Sequence, residues 1–325
     1  RLDSSVTLLQ NAIQKQQSAP LIQAAFRRSR LAYKRVEFLT EFYFSGSAKA
    51  LNGPALPEGE VDDGVGIVLE PTGFQVIEEM IFPLDVSQRT ALLNYVWGIK
   101  STISQLQRVA GYTEMTDGQV FDAMRLELFR LITLSITGFD SPVALHSLPE
   151  AIAALESLDR TIQVYPIAAK DAALAQNLHQ LLGRAIQALR GNRFNQFDRL
   201  TFIRQYAYPI SRMLLDAQQL LGYPLATDKR MLRQSARTLS DTNAFDPAFF
   251  QPYGLPQSTP GRIDLGKMLF SNPVLSENGQ RTCASCHQPD RAFTDGESSP
   301  MALRSKKRIG RNTPTLFNVA FQSFQ

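Results

Sequence analysis

Cysteine, histidine and tryptophan are scarce in this 325-residue chain, which holds two, three and one of them. Long apolar runs are missing: none approaches the ~18 residues that span a bilayer, so the sequence offers no membrane span. Strong charge of one sign is also missing. The 34 basic and 30 acidic residues leave a net charge of +4, too small and too scattered to point to nucleic acid or an anionic membrane as partner. Low-complexity tracts are absent, and 44% apolar residues, 20% charged residues, 18 Pro and 19 Gly describe a globular protein. The length suffices for two domains, each with its own core. The chain opens on Arg1, without an apolar export segment, which fits a removed signal peptide or a start downstream of one.

Residues 1–240 read as successive helices over about 4–17, 20–44, 85–110, 116–136, 146–161, 171–190 and 194–221. The clearest carries Leu174, Leu178, Leu181, Leu182, Ala185 and Leu189 at helical spacing, with Gly191 and Asn192 as its stop. Asn52-Gly53-Pro54, Asp63-Gly64, Gly138 to Pro142 and Gly222-Tyr223-Pro224 punctuate the connections. A long loop from Asn52 to Pro71 contains an extended stretch at Val65 to Leu69. Many helices with short connections imply antiparallel packing, so the expected class is all-α, an antiparallel helical bundle.

From about Asp241 the pattern changes. Pro247, Pro252, Pro256 and Pro260 interrupt the periodicity, and residues 241–325 form a second, smaller domain that needs a staple to compensate for its limited core. Both cysteines lie there, in Cys283-Ala284-Ser285-Cys286-His287. This C-x-x-C-H pattern is the attachment signal for c-type haem: two thiols one helical turn apart reach one porphyrin edge, and the following imidazole reaches the iron. Three other readings compete. A redox dithiol lacks a βαβ context, a zinc site lacks a nearby fourth ligand because His146 and His179 are far off in the chain, and a plain disulfide makes no use of His287.

The flanking blocks sharpen the reading. Leu265-Gly266-Lys267-Met268-Leu269-Phe270 precedes Asn272-Pro273-Val274-Leu275-Ser276; after the haem motif come Ala292-Phe293-Thr294-Asp295-Gly296 and Arg311-Asn312-Thr313-Pro314-Thr315-Leu316-Phe317-Asn318. In this order they resemble the N-terminal haem domain of bacterial di-haem cytochrome c peroxidases and their MauG relatives, over about residues 245–325. The resemblance implies a cytochrome c-like helical fold and a periplasmic or otherwise extracytoplasmic location. It implies haem c held by Cys283 and Cys286, with His287 as iron ligand. Asn312 matches the family's calcium ligand and equally suits a capping or turn residue. Arg311 suits a haem propionate, or an ordinary exposed loop.

The same resemblance implies hydrogen peroxide as substrate and a small electron-donor cytochrome or cupredoxin as partner. A second haem domain is expected beyond Gln325, carrying the family's acid–base glutamate and inter-haem tryptophan; Trp97 does not match that tryptophan. Many family members carry a distal histidine between the haem motif and the Arg-Asn-Thr-Pro block. Glu297 to Gly310 contains none here, and Met301 is its only soft iron ligand, unless it merely packs. The basic run Arg304 to Arg308 is either a solvated loop or a steering patch for an acidic partner. Phe317, Phe321 and Phe324 suggest an apolar edge.

In the first domain, Gly73-Phe74-Gln75-Val76-Ile77-Glu78 and the stretch Phe26 to Glu37 weakly resemble imelysin-like helical proteins. Gln75 stands where their motif has a metal-binding histidine, and an amide is a poor transition-metal ligand. Glu78 and Glu37 retain a possible cation site, against a hydrogen-bonded Gln75–Glu78 pair inside a bundle. His146 and His179 read as structural. The function expected is a haem c oxidoreductase, the peroxide-reacting part of a di-haem peroxidase. The competing expectation is a non-enzymatic electron-transfer or haem-sensing module with a helical docking domain.

Overall fold

The computed structural model describes residues 2–60, 67–228, 230–252, 254–255, 258–302 and 307–322. Parts of the expected extended stretch and of the basic run, and all of Phe324, lie outside these. The described chain is mostly helical, with one two-stranded hairpin. It divides into two compact units. The first comprises residues 1–227 and 237–241, the second residues 228–236 and 242–325.

The first unit contains α1 (Leu2–Gln14), α2 (Ala19–Lys34), α3 (Glu37–Tyr43), α4 (Ser45–Asn52), the antiparallel strands β1 (Glu58–Glu60) and β2 (Ile67–Leu69), α5 (Phe74–Ile81), α6 (Arg89–Ala110), α7 (Asp117–Arg130), α8 (Ser147–Ile162), α9 (Ile167–Lys170), α10 (Ala172–Leu189), α11 (Arg199–Phe202) and α12 (Tyr208–Leu221). Helical spacing builds the core: Leu92, Val96, Ile99 and Ile103 of α6 meet Val6, Leu9 and Ile13 of α1 and Ile22 and Phe26 of α2. On α10, Leu178, Leu181, Leu182, Ala185 and Leu189 are buried, and Asp171 caps the helix by accepting the Leu174 amide at 2.9 Å.

The expected helix over 20–44 is broken at Arg35–Val36. The Ser157 hydroxyl donates to the Arg35 carbonyl at 2.6 Å, a contact from 122 residues away that fixes the kink. The helix over 194–221 is likewise divided: a 3₁₀ turn (Phe194–Gln196) stands apart, and a π-helical turn (Ile203–Ala207) joins α11 to α12.

A buried ionic network crosses this unit. The Arg30 guanidinium donates to both carboxylate oxygens of Glu150, at 2.8 and 2.6 Å, and to the Asp140 carbonyl at 2.6 Å; it also bonds Asn52. The Lys34 ammonium lies 2.7 Å from Glu37 and 2.6 Å from Asp140. Burial alone would favour a neutral Lys34, but Asp140 and Glu37 outweigh it and hold its pKa above the ordinary range. Beside them Arg130 lies 2.8 Å from Glu41, whose pKa burial pushes up to about 7 against the pull of Arg130.

The second unit holds α13 (Pro260–Phe270) and short 3₁₀ turns at Cys283–Ser285 and Pro289–Arg291. Its apolar side chains are mostly unburied: no residue of α13 is buried, and Ile263, Leu265, Met268, Val274, Leu275 and Phe317 are all exposed. A unit of this kind draws little stability from its own packing.

Candidate haem-attachment site

The site is built on one closed turn. The Thr282 hydroxyl accepts the Ser285 amide at 3.0 Å, and the Ser285 hydroxyl donates to the Thr282 carbonyl at 2.6 Å. Within that turn the Cys283 carbonyl accepts the amides of Cys286 (3.2 Å) and His287 (2.9 Å), which sets the two thiols one helical turn apart. Both thiols are free, Cys283 exposed and Cys286 half-buried.

His287 Nδ1 lies 3.0 Å from the Phe293 carbonyl oxygen. A carbonyl only accepts, so Nδ1 is the donor of this bond, and Nε2 is the ring nitrogen left for a ligand. Ala292 and Phe293 both take left-handed backbone angles, φ 54° and 57°, to turn that carbonyl back. Two other segments secure the turn: Phe270 of α13 meets the Phe293 ring edge-on at 6.1 Å between centroids, and further along the chain Phe317 does so at 5.5 Å while the Thr315 hydroxyl donates to the Ala292 carbonyl at 2.6 Å. The adjoining Asp295 carboxylate accepts the Glu297 amide at 3.0 Å; that amide, with the Thr313 hydroxyl, holds it below the ordinary carboxylate range.

A cleft of about 900 Å³ opens beside the imidazole, lined by Cys286, His287, Met301, Arg311, Asn312 and Arg281 among others. Its size falls within the span typical of small-molecule sites. Met301 enters it from a strand-like pairing with Arg308 and is 47% exposed. Ile309 donates to the Pro300 carbonyl at 2.8 Å, closing that pairing. Cys283 lines a neighbouring groove of about 350 Å³, and Arg281 borders both spaces. Two residues to which the sequence assigns no role belong to the site: Arg281, on both spaces, and Phe293, through its carbonyl.

In the basic run, Arg304 to Lys306 lie outside the described residues. Arg308 is engaged by Glu297 at 3.0 Å and by the Ser299 carbonyl at 2.6 Å. Phe321 packs edge-on against Phe245 and Phe250.

Two expectations for the first unit need correction. Gln75 and Glu78 are both buried but do not pair with each other: the Gln75 amide donates to the Asn52 carbonyl at 3.1 Å, and Glu78 Oε1 accepts the Ser141 hydroxyl (3.0 Å) and the amides of Val143 (3.0 Å) and Ala144 (2.7 Å). The loop before α8 thus takes the carboxylate that an i,i+3 partner would have held. Glu37 and Glu78 do not converge as a cation site either, since Glu37 is committed to Lys34 and Arg130. Among the described residues no group of three or more His, Cys, Asp or Glu stands together to hold a metal ion. His146 immediately precedes α8, and His179 lies 2.7 Å from Asp159.

Free thiols one turn apart and a neighbouring imidazole with a committed Nδ1–H and an apolar-sided cleft suit a covalently attached haem. Residues 260–325 match the family of di-haem cytochrome c peroxidase. The chain is 40% identical over 62 residues to the methylamine utilization protein MauG of Methylophilus methylotrophus, covering 19% of this chain and 18% of that protein. It is 33% identical over 86 residues to MauG of Methylorubrum extorquens, 25% of this chain and 24% of the relative. It is 39% identical over 72 residues to the cytochrome-c peroxidase IdrP2 of Denitromonas iodatirespirans, 21% and 19% of the two chains. The matched segments span under a quarter of each relative's length.

Proposed function

We propose that this chain is a haem c-dependent oxidoreductase of the cytochrome c peroxidase type, reducing hydrogen peroxide with electrons from a small cytochrome or cupredoxin. The observation that carries the reading is the His287 imidazole, locked on the Phe293 carbonyl one turn from two free thiols. Cys283 and Cys286 would hold the haem as thioethers, and His287 Nε2 would ligate its iron. When bound, haem supplies the one-electron and O–O bond chemistry. The chain's own part is positional and electrostatic. The Nδ1–H bond to Phe293 orients the imidazole and raises its donor strength. Arg311 and Arg281 bring positive charge to the cleft, suited to haem carboxylates. Asn312, on the same cleft, is the residue proposed to ligate calcium. Covalent haem attachment and the family resemblance support an extracytoplasmic location, and no helix among the described residues is long and apolar enough to cross a membrane. Residues 1–325 contain a single C-x-x-C-H, so a di-haem enzyme would need its second haem from elsewhere.

One observation favours a second reading, an electron-transfer or sensing module: Met301 lines the same cleft as His287, and His/Met ligation is typical of electron carriers. The spin state separates the two. Under the peroxidase reading the ferric protein is high-spin at neutral pH, binds cyanide and oxidises a reduced cytochrome donor when peroxide is added. A stable low-spin protein that is inert to cyanide and peroxide supports the carrier instead.

A further inference from the structure

We infer that the helical unit carries a binding cleft for a soluble anionic amphiphile, a phosphate or carboxylate head on a short apolar body. The cleft, of about 800 Å³, is lined by residues of α1, α2 and its extension, and α8, none of which belongs to the buried ionic network.

Its charge has one sign. Arg28 and Arg35 stand seven residues apart on the outer side of α2 and its extension, and Arg160 projects from the last turn of α8, three residues after Ser157. Among the described residues no carboxylate lines the space. Arg35 has Glu156 at 3.6 Å, but Arg28 and Arg160 have no ion pair with any described residue. Three arginines of which only one has a carboxylate partner raise the local concentration of anions, and the guanidinium fork matches both phosphate and carboxylate. The other side is apolar: Leu8 of α1 and Val36 line it, 48% and 39% exposed. A purely ionic ligand would leave those side chains wet, and a neutral one would leave the arginines unanswered. A head with a short tail satisfies both.

The cleft is assigned independently of any haem chemistry and can be tested on the full haem-loaded chain by calorimetric titration with octyl phosphate, inorganic phosphate and octanol. One octyl phosphate per chain is expected to bind, more tightly than inorganic phosphate, with octanol giving no measurable heat. Arg28→Gln/Arg160→Gln should weaken octyl phosphate at least about tenfold, since each charged hydrogen bond lost is worth that much. Ala32→Trp, which fills the floor and leaves the arginines in place, should weaken it by a similar factor. Unchanged affinity in both variants overturns the site. Equal affinity for octanol, or for inorganic phosphate, overturns the amphiphile class. Capture only by phosphatidic acid vesicles, with no heat from monomeric octyl phosphate, overturns a soluble ligand.

Discussion

His287 and Phe293 form the central pair of the second unit: six residues apart, they are joined by an imidazole Nδ1–H bond of 3.0 Å to the Phe293 carbonyl. The bond exists because Ala292 and Phe293 are both left-handed. Other parts of the family-like sequence pattern meet there through Phe270, Thr315 and Phe317. Blocks far apart in sequence thus act on one carbonyl.

Backbone conformation at Ala292 is therefore expected to control the imidazole. Ala292→Val, β-branched at φ 54°, should cost about 1–2 kcal/mol. Ala292→Gly should be neutral or stabilising. Chemical denaturation of the haem-loaded protein measures both, and the Val variant should also shift the haem midpoint potential upward as the imidazole loses its acceptor.

Met301 is expected to leave the iron open. Met301→Leu should keep the high-spin ferric spectrum and cyanide binding unchanged. Loss of a low-spin, methionine-type signature in that variant would identify Met301 as the sixth ligand and favour the carrier reading.

The buried pair Arg30–Glu150 is expected to be costly to break and cheap to replace. Glu150→Gln leaves a buried guanidinium short of its counter-charge and should lower stability by about 3–5 kcal/mol in urea titrations. Arg30→Met/Glu150→Leu should recover most of that loss.

Glu41 sets a pH dependence. Its folded pKa, about 7, lies above the ordinary 4.5, so between these values the folded protein binds more protons than the unfolded chain. This residue's contribution to stability therefore falls as pH rises through that window. Glu41→Gln, a neutral mimic of the protonated acid, should flatten the decline in Tm between about pH 5 and pH 8. An unchanged slope would remove Glu41 as the cause.

The helices that show one apolar stripe were legible in the sequence, and α10 is the plainest case. The short α5 was not. At eight residues it gives barely two turns over which to read a period, and the polar Gln75 and Glu78 are buried beside Phe74, Val76, Ile77, Met80 and Ile81. The break between α2 and α3 depends on Ser157, far along the chain, and leaves no local trace. At the site the thiols and imidazole were legible because their chemistry is side-chain chemistry. Phe293 acts through its carbonyl, which every residue type possesses, and its left-handed turn carries no glycine to mark it.

The central claim is covalent haem at Cys283 and Cys286 under His287. Intact-mass spectrometry of protein matured in a host with cytochrome c assembly, after acid–acetone extraction, tests it most directly. The expected result is the chain plus the mass of one haem, lost as a covalent adduct in Cys283→Ser/Cys286→Ser. A bare-chain mass with both thiols alkylatable, and all haem in the extract, would contradict it.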